Sequence, residues 1–189
     1  MTVSEAATTD VPTDVEGDLA TGVEGAAWAA ERVCGELREA YLTVAAAAVL
    51  LGRAGDGSMH PELRLARRCG EEALDLASHV EQLLGSGLAR LRDQIGGGDV
   101  TSIGRVVASL DESRTQFAEA AERLAGLPGR LRAAERQLRD DEDPRLRIVG
   151  VTEDWSQAAD HLGLLTDNLT EAVAALATYA DRITGATTT

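Results

Sequence analysis

The chain has 189 residues, enough for one domain or two small ones, and 44% of them are apolar. It contains one Phe, two Trp and two Tyr, so its core must be built from Leu, Val and Ala, which favours closely packed helices. The formal charge of −14, from 32 acidic and 18 basic side chains, disfavours binding to nucleic acids and to anionic membranes.

The start of the chain has no Lys or Arg and no apolar segment, so we expect no Sec or Tat signal peptide. The most apolar run, Tyr41 to Leu51, spans 11 residues, whereas a membrane helix needs about 20. We therefore expect a soluble protein without membrane insertion. It would lie in the cytoplasm or be exported by a route that needs no signal peptide.

Residues 1–17 are acidic and have little to bury, which predicts a flexible tail. The first predicted helix then runs from about Asp18 to Arg53. Its buried side consists of two rows of apolar residues at seven-residue spacing, Val23, Ala30, Leu37, Val44 and Leu51 in one and Ala26, Val33, Ala40 and Ala47 in the other.

The second predicted helix begins at Pro61, a residue suited to a first helical turn, and ends at about Ile95, before three consecutive glycines. Gly85-Ser86-Gly87 interrupts its apolar pattern, which predicts either a kink or the close approach of a neighbouring backbone. Its expected core residues are Ala66, Cys69, Ala73, Leu76, Val80, Leu83 or Leu84, Leu88, Leu91 and Ile95.

The third predicted helix runs from about Thr101 to Asp140. The segment from Gly126 to Gly129 contains Pro128 and interrupts this helix, but the seven-residue phase passes through it, which favours a kink over a full break. The row consists of Ile103, Leu110, Phe117, Leu124, Leu131 and Leu138.

The fourth predicted helix runs from Thr152, a capping residue, to about Thr184, with Gly185 as its stop and 186–189 as a flexible tail. Glu153 and Asp154 lie in its first turn, where the helix dipole favours negative charge. Its row consists of Trp155, Leu162, Leu169, Leu176 and Ile183.

Two segments of the chain repeat at nearly the same shift. The pattern Leu-Ala-x-x-x-Asp-x-Ile-x-Gly that begins at Leu88 recurs at Leu176, and the first helix's row falls on the third helix's row at a shift of 87. We therefore predict an all-α, long-helix antiparallel four-helix bundle made by duplication of a helical hairpin. The two hairpins would be residues 18–97 and 98–185.

Cys34 and Cys69 lie at different distances from the first connection. In an antiparallel hairpin this offsets them by roughly 13 Å along the helix axes, beyond the roughly 7 Å Cα separation that a disulfide tolerates. We expect two buried thiols that act as small packing residues.

The sequence contains no catalytic or cofactor motif. It lacks GxxxxGK[ST], GxGxxG after a strand and GxSxG, and it has no Lys. None of His60, His79 and His161 follows a Glu by three residues, as a di-iron bundle requires, and no further ligand joins Asp75 and His79 at metal-ligand spacing. We predict a protein that is not an enzyme and that has no catalytic, cofactor-binding or metal-binding residues.

The predicted topology brings ten of the 18 Arg to the end of the bundle that holds the first and third connections. They could anchor an acidic partner or a phosphate, although the acidic residues among them favour solvated ion pairs. Trp155 continues a buried row, whereas Trp28 lies off the rows and is a candidate for a partner surface. The candidate partner-binding residues are Trp28, Arg64, Arg67, Arg68, Arg132, Arg136, Arg145 and Arg147.

The paired Ala/Leu-rich helices and their endings, LARLRDQIGG and LATYADRITG, resemble the helical-hairpin proteins of type VII secretion and the helical N-terminal modules of actinobacterial secreted toxins. The resemblance covers residues 18–185 and implies a secretion-associated role. Neither Trp28 nor Trp155 matches the Trp-x-Gly turn of the family, and neither Tyr41 nor Tyr179 matches its Tyr-based export signal, so no family residue is carried over.

Our first hypothesis is a non-enzymatic helical interaction or adaptor protein that binds a protein partner, or itself, through exposed apolar helical surface. One alternative is a bundle that holds or senses a small ligand in an internal cavity. A second alternative is a toxin-neutralising or chaperone-like protein whose acidic surface binds a basic partner. None of the three requires a cofactor or nucleic acid.

Overall fold

The computed structural model describes residues 13–55, 61–96, 103–140 and 151–186. Within these ranges every element is helical and there is no strand, which confirms the all-α bundle. The elements are α1 (Thr13–Gly55), α2 (Pro61–Gly96), α3 (Ile103–Ala125), α4 (Leu127–Asp140) and α5 (Val151–Ala186).

α1 and α5 differ in extent from the first and fourth predicted helices. α1 begins at Thr13, so residues 13–17 belong to a helix and not to the predicted tail. α5 begins at Val151, which is buried, so Thr152 lies inside the helix and does not cap it. It also continues through Gly185, because one Gly costs a helix only about 1 kcal/mol relative to Ala. Residues 1–12 and 187–189 lie outside the described residues.

The third predicted helix is divided into α3 and α4 by one non-helical residue, Gly126. Pro128, in the first turn of α4, has no N–H to donate to the preceding turn. The backbone N–H of Arg130 donates to the carbonyl of Gly126 at 3.4 Å, so helical bonding resumes at once. Leu124 and Leu131, on either side of the interruption, are both buried, and the seven-residue phase passes through as predicted.

The helices form a ring in which each has two main neighbours. α1 packs against α2 and α5, and the α3–α4 pair packs against the same two helices. In two neighbouring pairs, α1 with α2 and α2 with the α3–α4 pair, residue numbers on one helix rise as those of their ion-pair partners fall. The ion pairs that show this order are Glu31 with Arg92, Arg38 with Glu81, Glu112 with Arg90 and Arg130 with Glu72.

One core runs through the ring, and the predicted rows supply it. In every row the members whose side chains are described are buried or half-buried. Trp155 is fully buried, as predicted, and its ring lies beside Gly70 of α2, which in turn faces Ala48 of α1. The core therefore joins both hairpins.

The Gly85-Ser86-Gly87 segment does not kink α2, which is continuous from Pro61 to Gly96. A Cβ added at Gly87 would lie 2.5 Å from Cε1 of Phe117. The neighbour that comes close is therefore an aromatic ring and not the backbone that the sequence suggested. Gly85 has open space around it.

Cys34 and Cys69 are free thiols, in agreement with the predicted absence of a disulfide. Both are half-buried, whereas the sequence suggested full burial, because each lies at the edge of its helix's buried face. Burial raises the pKa of both thiols above the ordinary value of 9.0, more than the nearby Arg38 and Arg130 lower it.

The proposed duplication stays a prediction, because buried seven-residue rows are expected of any four-helix bundle. Among the described helices, no segment combines the length and the hydropathy that a membrane span requires.

Candidate interaction surface

The long apolar rows are covered within the chain. Leu37, Leu124, Leu131 and Leu169 are each at most 1% exposed. The apolar rows of α1, α2, α5 and the α3–α4 pair therefore pack against one another. They are not available to helices of another molecule. A partner surface has to be sought on the outside of the bundle.

Large apolar side chains on the outside are concentrated on one helix. Among the described side chains six are exposed, and four of these belong to α1. The six are Trp28, Leu42, Val49, Leu50, Leu65 and Leu164.

Three of these residues, together with the exposed Ala46, form a continuous stripe near the end of α1. We call Leu42, Ala46, Val49 and Leu50 the outer patch. Their spacing of four, seven and eight residues from the first places them on one side of a helix. Leu42 is 63% and Val49 is 54% exposed, so these side chains are well open to solvent.

The same turns of α1 also bury an apolar side against the core, with Val44, Ala47 and Leu51 each at most 2% exposed. This part of α1 is thus apolar on both its inner and its outer side. A helix with that composition is normally covered all round. Among the described residues, only the inner side of this part of α1 is covered.

Charged residues lie at both ends of the outer patch. Glu39 precedes it and Arg53 follows it, and both are exposed. Within the described part of the chain neither has an ion-pair partner. The other central charges of α1 do have partners, Arg32 with Glu36, Arg38 with Glu81 and Glu31 with Arg92.

Trp28 lies on the same side of α1, fourteen residues before Leu42, and is 63% exposed, in agreement with its place off the buried rows. The guanidinium of Arg32 lies over its ring, 5.8 Å from the centroid, at cation–π distance. Charged residues separate Trp28 from the outer patch. Its role in partner binding stays a prediction.

Two of the candidate arginines form ion pairs in different places on the bundle. Arg67 pairs with Glu71 at 2.9 Å on its own helix, and Arg132 of α4 pairs with Asp160 of α5. Arg64, Arg68 and Arg136 are exposed and have no ion-pair partner among the described residues. Arg145 and Arg147 lie outside the described residues.

Two shallow grooves near the ends of the bundle have mixed charge. In the first, Arg136 lies with Glu62 and Asp140, so two carboxylates offset one guanidinium; Ala133 and Gln137 complete it. In the second, Arg90 pairs with Glu112; Asp111, Thr115 and Gln116 complete it. Neither arrangement favours a phosphate or another anion.

The described residues contain no group of three His, Cys, Asp or Glu side chains that could hold a metal ion. His79 is exposed, and Nε2 of His161 lies 3.7 Å from a carboxylate oxygen of Glu36. His79 and His161 therefore lie on the outside of the bundle, and His60 lies outside the described residues.

The sequence reasoning found Trp28 but missed the outer patch. The run from Tyr41 to Leu51 is too short for a membrane helix, and its residues at seven-residue spacing belong to the predicted buried side. The signal that could have found the patch is the spacing of Trp28, Leu42 and Val49, which are multiples of seven apart and lie opposite the buried rows.

A comparison of the chain with protein-family models, with curated proteins and with solved structures finds no match. The resemblance to type VII secretion hairpins thus stays a prediction that rests on the two helix endings.

Proposed function

We propose that this protein is a non-enzymatic helical interaction protein that binds one helix of a partner on the outer patch of α1. The observation that carries the proposal is the uncovered apolar stripe of Leu42, Ala46, Val49 and Leu50 on a bundle whose long apolar rows are already covered. An adaptor role in secretion belongs to the same proposal, and only the helix endings support it.

The outer patch has the chemistry of a helix-docking site. Covering an exposed Leu or Val contributes roughly 1–2 kcal/mol, because only part of the side chain is newly removed from water. Leu42, with Val49 and Leu50 seven and eight residues later, presents the ridge that a second helix packs against. Their neighbours along the helix axis, Glu39 and Arg53, can select a partner by charge.

A photo-crosslinking amino acid placed at position 46 tests this proposal. Benzoylphenylalanine in place of Ala46, at the centre of the outer patch, should form an adduct in the cells that make this chain. The matched control is the same substitution at Ser78, an exposed position on α2. We expect an adduct at position 46 and none at position 78.

The adduct's partner peptide is then sequenced by mass spectrometry. Adducts at both positions in equal amount, or none at position 46, would show that the outer patch does not bind a helix. Circular dichroism of the purified variants checks that both remain folded, as expected for substitutions at exposed positions.

The two alternative hypotheses lack a supporting observation. The described grooves are open and mixed in charge, which does not favour a small-ligand site. Glu5 and Asp10 of the predicted acidic tail lie outside the described residues, whereas Asp14 and Glu16 lie in α1. Binding of a basic partner by these residues stays a prediction.

A further inference from the structure

We propose that the helix bound on the outer patch is the outer patch of a second copy of this chain, packed antiparallel about a twofold axis at Ala46. This inference rests on the proposed function, because it requires the outer side of α1 to bind a helix. It adds the identity of the partner and the register of the two helices.

Two members of the outer patch and the two flanking charges are placed symmetrically about Ala46. Leu42 and Leu50 lie four residues on either side of it, at roughly 6 Å along the helix axis. Glu39 and Arg53 lie seven residues on either side, at roughly 10 Å. In an antiparallel pair centred on Ala46, each residue meets the residue at the same distance on the other side of Ala46 in the second copy.

This register pairs opposite charges at both ends of the interface. Glu39 meets Arg53 of the second copy, and Arg53 meets Glu39 of the second copy. The two positions are fourteen residues apart, which places them within about 40° of each other around the helix, so both point toward the same partner. Both are exposed, and within the described part of the chain both lack an ion-pair partner.

A parallel pair in the same register would bring like charges together, Glu39 against Glu39 and Arg53 against Arg53. Like charges across an interface disfavour that arrangement. The distribution of charge on α1 therefore selects the antiparallel pair.

The side chains also fit a close helix pair. Ala46 lies at the axis, where a small side chain allows two helices to approach to about 8 Å. Leu42 then packs beside Val49 and Leu50 of the second copy. The interface is isologous, so each contact occurs twice.

The interface is small. A paired face about four turns long covers less than the roughly 800 Å² per partner of a standard stable interface. We expect a weak dimer whose population depends on concentration.

Charge exchange across the twofold axis tests the register. Sedimentation experiments on the full chain, from about 1 to about 500 µM, cover the affinities expected of a small interface. Glu39→Arg and Arg53→Glu should each raise the dimer dissociation constant about tenfold or more. The double variant Glu39→Arg/Arg53→Glu restores opposite charges and should return it to within about threefold of the original.

Two control variants make the same charge changes away from α1. Glu122→Arg and Arg105→Glu alter exposed residues of α3, which is not a neighbour of α1 in the ring. We expect both to leave the dissociation constant unchanged. A chain that is monomeric over the whole range, or a double variant no better than the single variants, would overturn the antiparallel dimer.

Crosslinking at position 46 separates this inference from the proposed function. An adduct with a second copy of this chain supports both. An adduct with a different protein overturns the dimer and leaves the proposed function standing. Absence of an adduct overturns both.

Discussion

At Gly87 of α2, a side chain of α3 comes very close to the helix backbone. The ring of Phe117 occupies the space that a Cβ would need, and Phe117 is fully buried, so its ring has little room to move. The hydroxyl of Ser113, also buried, donates to the carbonyl of Gly87 at 3.2 Å and holds the same two helices together. Gly87 lowers the helix propensity of α2, but it leaves room for the Phe117 ring. It thereby stabilises the packing of α2 against α3.

We predict that Gly87→Ala lowers the free energy of unfolding by about 1–3 kcal/mol, because the added methyl overpacks the core against Phe117. The matched control is Gly85→Ala, two residues earlier in the same helix, where the space is open. That variant should be more stable by about 0.5–1 kcal/mol, since Ala is the better helix former. Urea denaturation followed by circular dichroism measures both, and equal effects would contradict the close contact.

At the scale of the helices, α4 contains one buried charged residue, Glu135. Glu135 is 5% exposed, and its carboxylate forms an ion pair with Arg139 one turn later. Arg139 itself is largely exposed. Among the described residues, Arg139 is the only ion-pair partner of the Glu135 carboxylate. Water hardly reaches this carboxylate.

Arg139→Ala should destabilise the protein by about 1–2 kcal/mol, because it leaves the Glu135 carboxylate buried without a partner. Arg136→Ala on the same helix removes an exposed arginine that has no ion-pair partner among the described residues, and it should change stability by less than about 0.5 kcal/mol. Thermal unfolding of the two variants compares them directly. A similar melting temperature for both would show that the Glu135 carboxylate does not need Arg139.

Features that depend on one helix could be predicted from the sequence, whereas features that depend on contacts between helices could not. The rows that contain Leu37, Leu124 and Trp155 are local periodic patterns, so the sequence identified the helices and their buried sides. The burial of Glu135 and the contact of Gly87 with Phe117 depend on the register between helices, which no single helix encodes. The outer patch was missed because the run from Tyr41 to Leu51 is apolar on every side, and only the ring of helices decides which side stays open.

At the scale of the molecule, the two predicted hairpins share a core. Trp155 of the second hairpin lies against Gly70 and close to Ala48 of the first, and the buried side chains of all the helices form one cluster. A domain boundary between residues 97 and 98 would therefore divide a hydrophobic core. Residues 18–97 and 98–185 therefore both contribute to one hydrophobic core.

A single cooperative unfolding transition follows from that shared core. In Trp28→Phe, Trp155 remains as the sole tryptophan and reports from the centre of the bundle. Its fluorescence and the ellipticity at 222 nm should change at the same urea concentration. Loss of ellipticity in a separate step that leaves Trp155 unchanged would mean that the first hairpin unfolds alone.

The ring order has a further consequence during protein synthesis. α1 is translated first, yet one of its two neighbours is α5, which is translated last. At about 5–20 residues per second, the ribosome needs on the order of ten seconds to make the intervening chain. During that time the flank of α1 that α5 will cover is exposed to solvent, so nascent chains on neighbouring ribosomes can associate before they fold.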